Sequence, residues 1–345
     1  MFTTLPQARL PEVGAAAVQA ERDGYDGVVT LDNRHDPFLP LAIAAVSTER
    51  VELATGIAVA FPRSPMVTAM QAWDLQTASQ GRFVLGLGSQ IKPHVERRFS
   101  TAWSAPAPRL REYVQALRAI WRTWADGERL DFHGEHYNFT LMPPNFTPEP
   151  LDGPSPAVTV AAVGPRMLAM AAEQADGVRL HAFCTRRYLE QTVKPLLEER
   201  LARQGRARSS FQISGGGFVC TGPDDESVAE QVEWVRMRVG FYGSTPAYWP
   251  VLEAHDLGDL GRHLRELTRQ GKWDELPRQV SDDVVHLFAA VGRHDQLADA
   301  VSERFGGVSD AIGASASPDR PGGLPPDLIS DLQAIPTRFA GFSLA

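Results

Sequence analysis

A cluster of polar side chains that can hold or transfer a proton follows the second apolar run of the sequence. The run GVVT leads, after one leucine, into Asp32, Asn33, Arg34, His35 and Asp36. Imidazole titrates near neutral pH and therefore suits acid–base catalysis. We predict that His35 donates or accepts the proton in a reaction and that Asp36 orients it. Arg34 is the neighbouring alternative for the same role.

The same cluster also has a purely structural interpretation. Aspartate is a good N-cap residue, proline is a good first-turn residue, and an apolar segment follows Pro37. In that interpretation His35 and Asp36 only cap the start of a helix. Both roles can hold at once, so the sequence leaves the alternatives open.

Further polar residues follow other apolar runs, at positions where strands are expected to end. Gly86 and Gly88 precede one such group, and glycines at a strand end let the backbone approach a flat ligand closely. A solvated loop is the alternative for that group, and a hydrogen-bonded core histidine is the alternative for His181. The candidates are Arg63 and Ser64 after GIAVAF, Ser89, Gln90, Lys92, His94 and Glu96 after FVLGLG, Gly164, Pro165 and Arg166 after TVAAV, and His181 after GVRL.

Short apolar or β-branched runs alternate with helical segments along the chain. Strands that are apolar on both faces and alternate with helices predict a parallel sheet covered by helices. Eight such runs, from FTTLP to GVSDAIGAS, match the number that closes a (β/α)₈ TIM barrel. A doubly wound open sheet is the alternative fold. Apolar residues at three- and four-residue spacing predict helices at 11–23, 65–79, 109–125, 165–175, 186–203 and 295–305.

Two stretches interrupt this alternation and are predicted to be insertions. Residues 127–156 are rich in proline and aromatic residues and indicate a hairpin with an ordered excursion, whereas residues 240–282 indicate extra helices after the seventh strand. A Pro/Gly bend precedes a C-terminal helix. We predict one barrel domain over residues 1–345, with the polar candidates gathered at the carboxyl ends of its strands.

Composition narrows the partners and the compartment. Lys plus Arg number 34 against 42 Asp plus Glu, and the net charge of -8 disfavours nucleic acids and anionic membranes. Cys184 and Cys220 lie far apart, and we find neither a signal peptide nor an apolar run of about 18 residues. We expect a cytoplasmic protein that acts on a small molecule. His133 and His136 lack a third ligand, so no metal site is predicted.

Four stretches of the sequence carry a resemblance to a known family. They are RHDPFLPLAIAAVSTERVELATGIAVAFPRSPMVTAMQAWDLQ, GRFVLGLGSQIKPHVERRFS, VGPRMLAMAAEQADGVRLH and FYGSTPAYWPVLE. Together they resemble the luciferase-like monooxygenase superfamily, and within it the branch of coenzyme F420-dependent oxidoreductases, over roughly residues 5 to 312. The resemblance implies a (β/α)₈ barrel whose open end holds a flavin or deazaflavin. The eighth strand departs from the pattern, with Ser, Asp and Gly where relatives are more apolar.

This resemblance implies coenzyme F420 as the cofactor, with hydride transfer to or from a small organic substrate. An FMN-dependent monooxygenase is the first alternative, and a flavin-binding protein without turnover is the second. Such barrels carry a bulge in the third strand, and we expect a non-proline cis peptide between Ile57 and Val59. Lys92, Arg97 and Arg98 form the basic run that could meet an oligoglutamate tail. We also consider a homodimer.

The helix start at VGPRM is predicted to bind the phosphate of the cofactor. Gly164 allows close backbone approach, and Pro165 has no N–H to leave unpaired. The free N–H groups from Arg166 onward form an anion site, although an ordinary capped helix is the alternative. The predicted cofactor-binding set is Asp32, Ile57, Ala58, Val59, Ser89, Gln90, Lys92, His94, Gly164, Pro165, Arg166 and His181.

Overall fold

The computed structural model describes residues 1–6, 9–313 and 323–342 of the 345-residue chain. The strands are β1 (Phe2–Thr4), β2 (Gly27–Thr30), β3 (Glu52–Thr55), β4 (Ala58–Val59), β5 (Phe83–Gly88), β6 (Phe132–His133), β7 (Asn138–Phe139), β8 (Ala157–Ala162), β9 (Gly177–Leu180), β10 (Gln212–Gly215), β11 (Phe218–Gly222) and β12 (Ala289–Arg293).

The helices also follow chain order. They are α1 (Leu10–Arg22), α2 (Phe38–Ser47), α3 (Pro65–Ala78), α4 (Pro106–Asp126), α5 (Pro165–Gln174), α6 (Arg186–Tyr188), α7 (Lys194–Arg203), α8 (Asp225–Gly243), α9 (Trp249–Glu253), α10 (Gly258–Arg269), α11 (Asp282–Phe288), α12 (Leu297–Phe305) and α13 (Pro326–Gln333). Two π-helical turns occur at His94–Arg98 and Leu189–Val193. Short 3-10 turns occur at Pro144–Phe146, Arg208–Ser210, Pro246–Tyr248, Trp273–Glu275 and Pro277–Gln279.

The main sheet curls into a closed ring of parallel strands. Its members pair in the order β1, β2, β3, β5, β8, β9 and β10, and the short β4 continues the third strand against β5. The segment after α12 closes the ring, because Ala311 bridges Ser214 of β10 and Gly313 bridges Phe2 of β1. The predicted (β/α)₈ barrel is therefore confirmed, and the alternative of an open doubly wound sheet is wrong.

A buried carboxylate holds the polar eighth strand in place. The side chain of Asp310 is 3% exposed, and its Oδ2 accepts hydrogen bonds from the Ile213 N–H at 2.7 Å and from Arg208 at 2.8 Å. Its Oδ1 accepts the N–H of Arg338 at 3.2 Å. Hydrogen bonds to a charged acceptor are roughly twice as strong as neutral ones. The aspartate that departs from the apolar pattern thus helps to close the barrel; the last two residues of GVSDAIGAS lie outside the described residues.

Helices surround the ring where the apolar spacing predicted them. The bounds of α1, α3, α4, α5 and α12 all lie within three residues of the predicted ones. The predicted helix at 186–203 is divided by the π-helical turn at Leu189–Val193 into α6 and α7. The inner face of α4 is fully buried at Leu117 and Ile120, as its three-residue spacing requires.

The seventh strand and its insertion differ from the prediction. FQISGGGFVC was predicted as one strand but forms β10 and β11, because Gly215 and Gly216 adopt φ of 78° and 89° and turn the chain out of the barrel. β11 then pairs in parallel with β12, a strand that was not predicted. The β6–β7 hairpin confirms the one expected within 127–156, and helices fill 240–282.

Two further features of the described chain concern its cysteines and its helices. Cys184 and Cys220 are both free and buried, and burial raises the pKa of each thiol to about 12. Of the helices in the described ranges, none is long and apolar enough to cross a bilayer.

Candidate functional site at the barrel mouth

The carboxyl ends of the barrel strands bring the predicted polar residues to one rim, which we call the barrel mouth. β2 and β9 lie four strands apart in either direction around the closed ring. The loop after β2 and the residues after β9 therefore face each other across the mouth. The ends of the third strand, β5 and β8 lie between them on one side.

A carboxylate ties the loop after β2 to the third strand. The side chain of Asp32 is 5% exposed, and its Oδ2 accepts hydrogen bonds from the Val59 N–H at 2.9 Å and from Arg63 Nη1 at 2.6 Å. Arg63 also donates to the Val59 carbonyl at 2.9 Å and lies 3.2 Å from Asp36 Oδ2. Asp32, which was predicted to bind the cofactor, thus uses its Oδ2 to hold the third strand.

Asp36 acts as a helix cap, so the structural interpretation is confirmed for this residue. Its Oδ1 accepts the N–H groups of Phe38 at 2.8 Å and Leu39 at 3.1 Å, at the start of α2. His35 is exposed at the mouth, and within the described residues no hydrogen bond joins it to Asp36. The cap and Arg63 engage both oxygens of Asp36, and the orienting role of Asp36 toward His35 stays a prediction.

The third strand carries the expected bulge. Residue numbers of paired positions differ by 30 in β3, where Ala54 pairs with Val84, and by 29 in β4, where Ala58 pairs with Leu87. One extra residue therefore lies between the two parts of the strand. The peptide bond Gly56-Ile57 is cis. A cis peptide in GIAVAF is confirmed, but it lies one bond before the predicted stretch between Ile57 and Val59.

The bulge also explains the glycines of β5. A Cβ on Gly86 would lie 2.0 Å from the Thr55 carbonyl oxygen, and a Cβ on Gly88 would lie 2.6 Å from the Ile57 side chain. Thr55 Oγ1 donates a hydrogen bond to the carbonyl of Gly86 at 2.7 Å and accepts one from the Gly86 N–H at 2.9 Å. These bonds replace the backbone hydrogen bonds that the bulge interrupts between the third strand and β5. These glycines make room for the third strand, whereas the sequence suggested room for a flat ligand.

The loop after β5 lies at the mouth with an unusual backbone. Gln90 has φ of 58°, a left-handed conformation that only a few per cent of non-glycine residues adopt. Its own Oε1 accepts the N–H of Ile91 at 3.0 Å, and Ser89 Oγ donates to the Gln90 carbonyl at 3.3 Å. Strained backbone of this kind concentrates at ligand sites.

The basic residues that follow are exposed. Lys92 lies 3.8 Å from Glu96, and His94 is open to solvent. Arg98 donates a hydrogen bond to the carbonyl of Asn33 and so joins the loop after β5 to the loop after β2. This contact occupies one member of the basic run that was predicted to meet an anionic tail.

The predicted phosphate site is the N-terminus of α5. Gly164 is the N-cap with φ of -90°, which any residue can adopt, and nothing lies within 4 Å of a Cβ built on it. Pro165 is the first helical residue. Arg166 is exposed and lines a cavity of ≈ 490 Å³ on the outer side of the barrel, together with Arg111 and other residues of α4 and α5. The backbone N–H groups are therefore the more direct donors to an anion at the mouth.

His181 stands opposite the β2 loop in an aromatic enclosure. Its ring centroid lies 4.4 Å from that of Tyr242 and 4.8 Å from that of Tyr248. Burial lowers the pKa of His181 to about 4. Nδ1 accepts the N–H of Phe183 at 3.0 Å, so the neutral ring carries its proton on Nε2. His181 is therefore an uncharged hydrogen-bond donor at neutral pH.

Sequence reasoning missed the partners of two predicted residues. Arg63 was named only as a candidate, without a partner. An acidic loop after the second strand followed by a basic residue after the third, adjacent strand is a pattern from which the ion pair could have been predicted. Tyr242 and Tyr248 lie in a stretch that was predicted as an insertion, and their approach to His181 depends on long-range packing. His133 pairs with Asp131 at 3.0 Å, and the described residues hold no group of three or more His, Cys, Asp and Glu side chains fit for a metal ion.

The profile of one protein family, described as luciferase-like monooxygenase, matches residues 2–310 of the chain. The chain belongs to the luciferase-like monooxygenase family. Among curated members, the uncharacterized protein Rv1360 of Mycobacterium tuberculosis is 48% identical over 304 residues, which are 88% of this chain and 89% of that protein.

More distant family members have named activities. The 5,10-methylenetetrahydromethanopterin reductase of Archaeoglobus fulgidus is 27% identical over 92% of this chain and 93% of its own. The structure of the coenzyme F420 dependent tetrahydromethanopterin reductase of Methanopyrus kandleri superposes with a TM-score of 0.76 at 19% identity, covering 97% of each chain. That structural likeness confirms the luciferase-like barrel fold.

We expect the buried histidine of this luciferase-like barrel to titrate near pH 4 when followed by NMR. A lowered folded pKa makes the unfolded state bind more protons, so stability falls as the pH drops from about 6.5 toward 4. The contribution of His181 amounts to about 3 kcal/mol over that window. His181→Phe should remove this part of the pH dependence, whereas His263→Phe, at an exposed position on α10, should keep it. Titration of His181 near 6.5 would contradict the buried geometry.

Proposed function

We propose that the protein is a coenzyme F420-dependent oxidoreductase that transfers a hydride between the deazaflavin and a small organic substrate. Membership of the luciferase-like family and the names of the two reductases described above support this proposal. When bound, the deazaflavin supplies the hydride-accepting carbon. The remaining chemistry falls to residues of the barrel mouth.

The bulged third strand is the observation that carries the proposal. Its extra residue lies between Ala54 and Ala58, and it brings the segment Ile57, Ala58 and Val59 to the edge of the mouth, where Asp32 fixes the N–H of Val59 at 2.9 Å. This segment forms a mainly apolar shelf in which Ala58 and Val59 are fully buried and Ile57 is half-buried. Ile57 is therefore the part of the shelf that offers an apolar surface to one face of a planar ring. Ser89 and Gln90 lie beside the shelf, and His181 faces the mouth from the other side.

The N-terminus of α5 supports a phosphate-binding role. The absence of side-chain atoms around Gly164 leaves room for an anion to reach the first-turn N–H groups, and the helix start carries about half a positive charge. Pro165 has no backbone N–H, so it leaves no unpaired hydrogen-bond donor in the first turn. We therefore assign the phosphate of the cofactor to this turn.

Proton transfer is assigned to His35. A hydride that leaves a carbon bearing a hydroxyl group requires the hydroxyl proton to leave as well, and an exposed imidazole at the mouth can accept it. Because Asp36 caps α2, the loop is anchored beside His35 without engaging its ring. Arg34 stays the alternative on the same loop.

Two other functions fit parts of the same observations. An FMN-dependent monooxygenase is favoured by the description of the family itself. A flavin-binding protein without turnover is favoured by the exposure of His35, since a solvated imidazole is not held against any fixed partner. The preferred cofactor and the rate of the His35 variant separate the three.

A homodimer is proposed from the outer surface of α2 and α3, which pack against each other. Leu39 is 56% exposed, Val46 76%, Val67 47% and Met70 54%. Adjacent exposed apolar side chains on one face indicate a protein interface. The self-complementary partner is a second copy of the chain, as in most soluble oligomers.

We expect the apoprotein to bind coenzyme F420 more tightly than FMN in a fluorescence titration. The preference should persist in Gly164→Ala, whereas Gly164→Val should weaken every phosphate-bearing form roughly tenfold, because its branched side chain fills the approach to the helix start. Tighter binding of FMN would favour the monooxygenase. Equal affinity of the valine variant for the cofactor with and without phosphate would move the phosphate to another loop.

His35→Ala should lower turnover by roughly 10²-fold or more, the usual effect of losing a general acid or base. Its affinity for the cofactor should stay within about twofold, measured by the same titration, because the role assigned to His35 is proton transfer. Arg34→Ala serves as the matched variant on the same loop. An unchanged turnover rate in His35→Ala would show that His35 does not transfer the proton.

The double variant Val46→Asp, Met70→Asp should sediment as a single chain, because two carboxylates would be desolvated at the interface. Leu141→Asp changes an equally apolar side chain that is 77% exposed elsewhere, and it should keep the mass of the parent protein. A dimer that survives in the double variant would place the contact on another surface.

A further inference from the structure

A cationic side chain lies inside the barrel, directly below the mouth. Arg179 of β9 pairs in register with Ala161 of β8 and Ser214 of β10. It precedes His181 by two residues, so both side chains point to the inside of the ring. The Arg179 side chain is half-buried, and its Nε is among the buried atoms.

The Arg179 guanidinium has no partner within the described residues. Its Nε is buried without a hydrogen bond, and neither a hydrogen bond nor an ion pair reaches its side chain. The contrast with Arg82 is direct, since that guanidinium donates to the carbonyls of Ala45, Thr48 and Val51. A charge that is partly withdrawn from water and has no partner is destabilising, so the position of Arg179 favours a compensating anion.

Among the described residues, Glu52 is the acidic group whose charge acts on Arg179 and raises the pKa of its guanidinium against the effect of burial. It stands at the opposite end of the barrel interior, at the start of β3, and makes no ion pair with Arg179 in the described structure. Burial raises the pKa of Glu52 to about 7, so its charge is incomplete at neutral pH. Glu52 therefore leaves much of the positive charge of Arg179 without compensation.

Arg179 reaches the underside of the third-strand bulge. Its Nη1 lies 3.1 Å from the point where a Cβ on Gly56 would stand, and Gly56 forms the cis peptide with Ile57. A side chain at position 56 would also collide with Val29 at 2.2 Å. The guanidinium thus reaches from β9 to the third strand and lies beside Gly56, next to the shelf of residues 57–59.

We propose that Arg179 is an electrostatic binding residue whose fixed positive charge favours the reduced, anionic form of the cofactor. The proposal rests on the function proposed above. Transfer of a hydride adds one proton and two electrons to the ring, so the ring gains one negative charge unless it takes up a further proton. The substrate carbon loses that hydride, and its hydroxyl proton passes to the base on the β2 loop. Arg179 compensates the charge that stays on the ring.

The test compares the affinities of oxidised and reduced cofactor in the intact protein. Arg179→Met keeps the length of the side chain and removes its charge, and should weaken the reduced form about tenfold relative to the oxidised form. For a two-electron couple this ratio lowers the midpoint potential of the bound cofactor by about 30 mV. Arg179→Lys should restore the ratio to within about threefold of the parent protein.

Two controls separate an electrostatic effect from a structural one. The melting temperature of the cofactor-free protein should rise in Arg179→Met, because a buried unpaired charge is replaced by an apolar side chain. Glu52→Gln should leave the affinity ratio unchanged or shift it in the opposite direction. A loss of reduced-form affinity in Glu52→Gln equal to that in Arg179→Met would overturn the proposal.

The remaining outcomes distinguish this inference from the proposed function. If the parent protein binds the deazaflavin or FMN and Arg179→Met binds both redox forms as the parent does, the role of Arg179 is refuted while the cofactor assignment stands. If the parent protein binds neither cofactor, the proposed function fails and this inference fails with it.

Discussion

The ion pair between Asp32 and Arg63 is the contact on which the barrel mouth depends. Asp32 is 5% exposed and Arg63 17%, so the 2.6 Å contact is shielded from water and from salt. Through it the loop after β2, the end of the third strand at Val59 and the start of α2 at Asp36 are joined in one network. Removing one partner would leave a buried charge, which typically costs about 3–5 kcal/mol. The positions of the β2 loop and of the end of the third strand therefore depend on Arg63.

The third strand needs this network of contacts because its backbone pairing is irregular. A bulge interrupts the ladder between β3 and β5, and the chain repairs the break with the Thr55 hydroxyl, which bonds both backbone groups of Gly86. The bulged strand comes so close to β5 that no side chain fits at Gly86. Close backbone contact below and an ion pair above hold the same segment from two sides. Rigid support of this kind is what a ligand-binding shelf requires.

The sequence predicts the periodic parts of this structure and misses the parts that depend on distant contacts. Helices such as α4 follow from the spacing of residues that bury one face, and eight apolar runs indicate a barrel. The segment FQISGGGFVC divides into β10 and β11 because Gly215 and Gly216 turn the chain. Apolar composition alone does not indicate the residue at which a chain leaves one sheet and enters another. The glycines of β5 were visible, but only the fold shows that they face Thr55 and Ile57 and not a ligand. For Asp36, the helix-cap and catalytic interpretations rest on the same residues, and only the hydrogen bonds from Phe38 and Leu39 in the folded chain show the cap.

The two sides of the mouth differ in charge in a way that fits a polarised reaction. On the β2 side, Asp32, Arg63 and Asp36 are charged and tied to one another, so their net charge is small and their positions are fixed. On the β9 side, burial among Tyr242 and Tyr248 keeps His181 uncharged. A neutral donor there can hold an oxygen atom without supplying a competing proton. Arg179 lies instead inside the barrel, with its Nη1 beside Gly56 at the third-strand bulge. In a site shielded from water, a fixed cation acts more strongly on a nearby charge than it does in solvent.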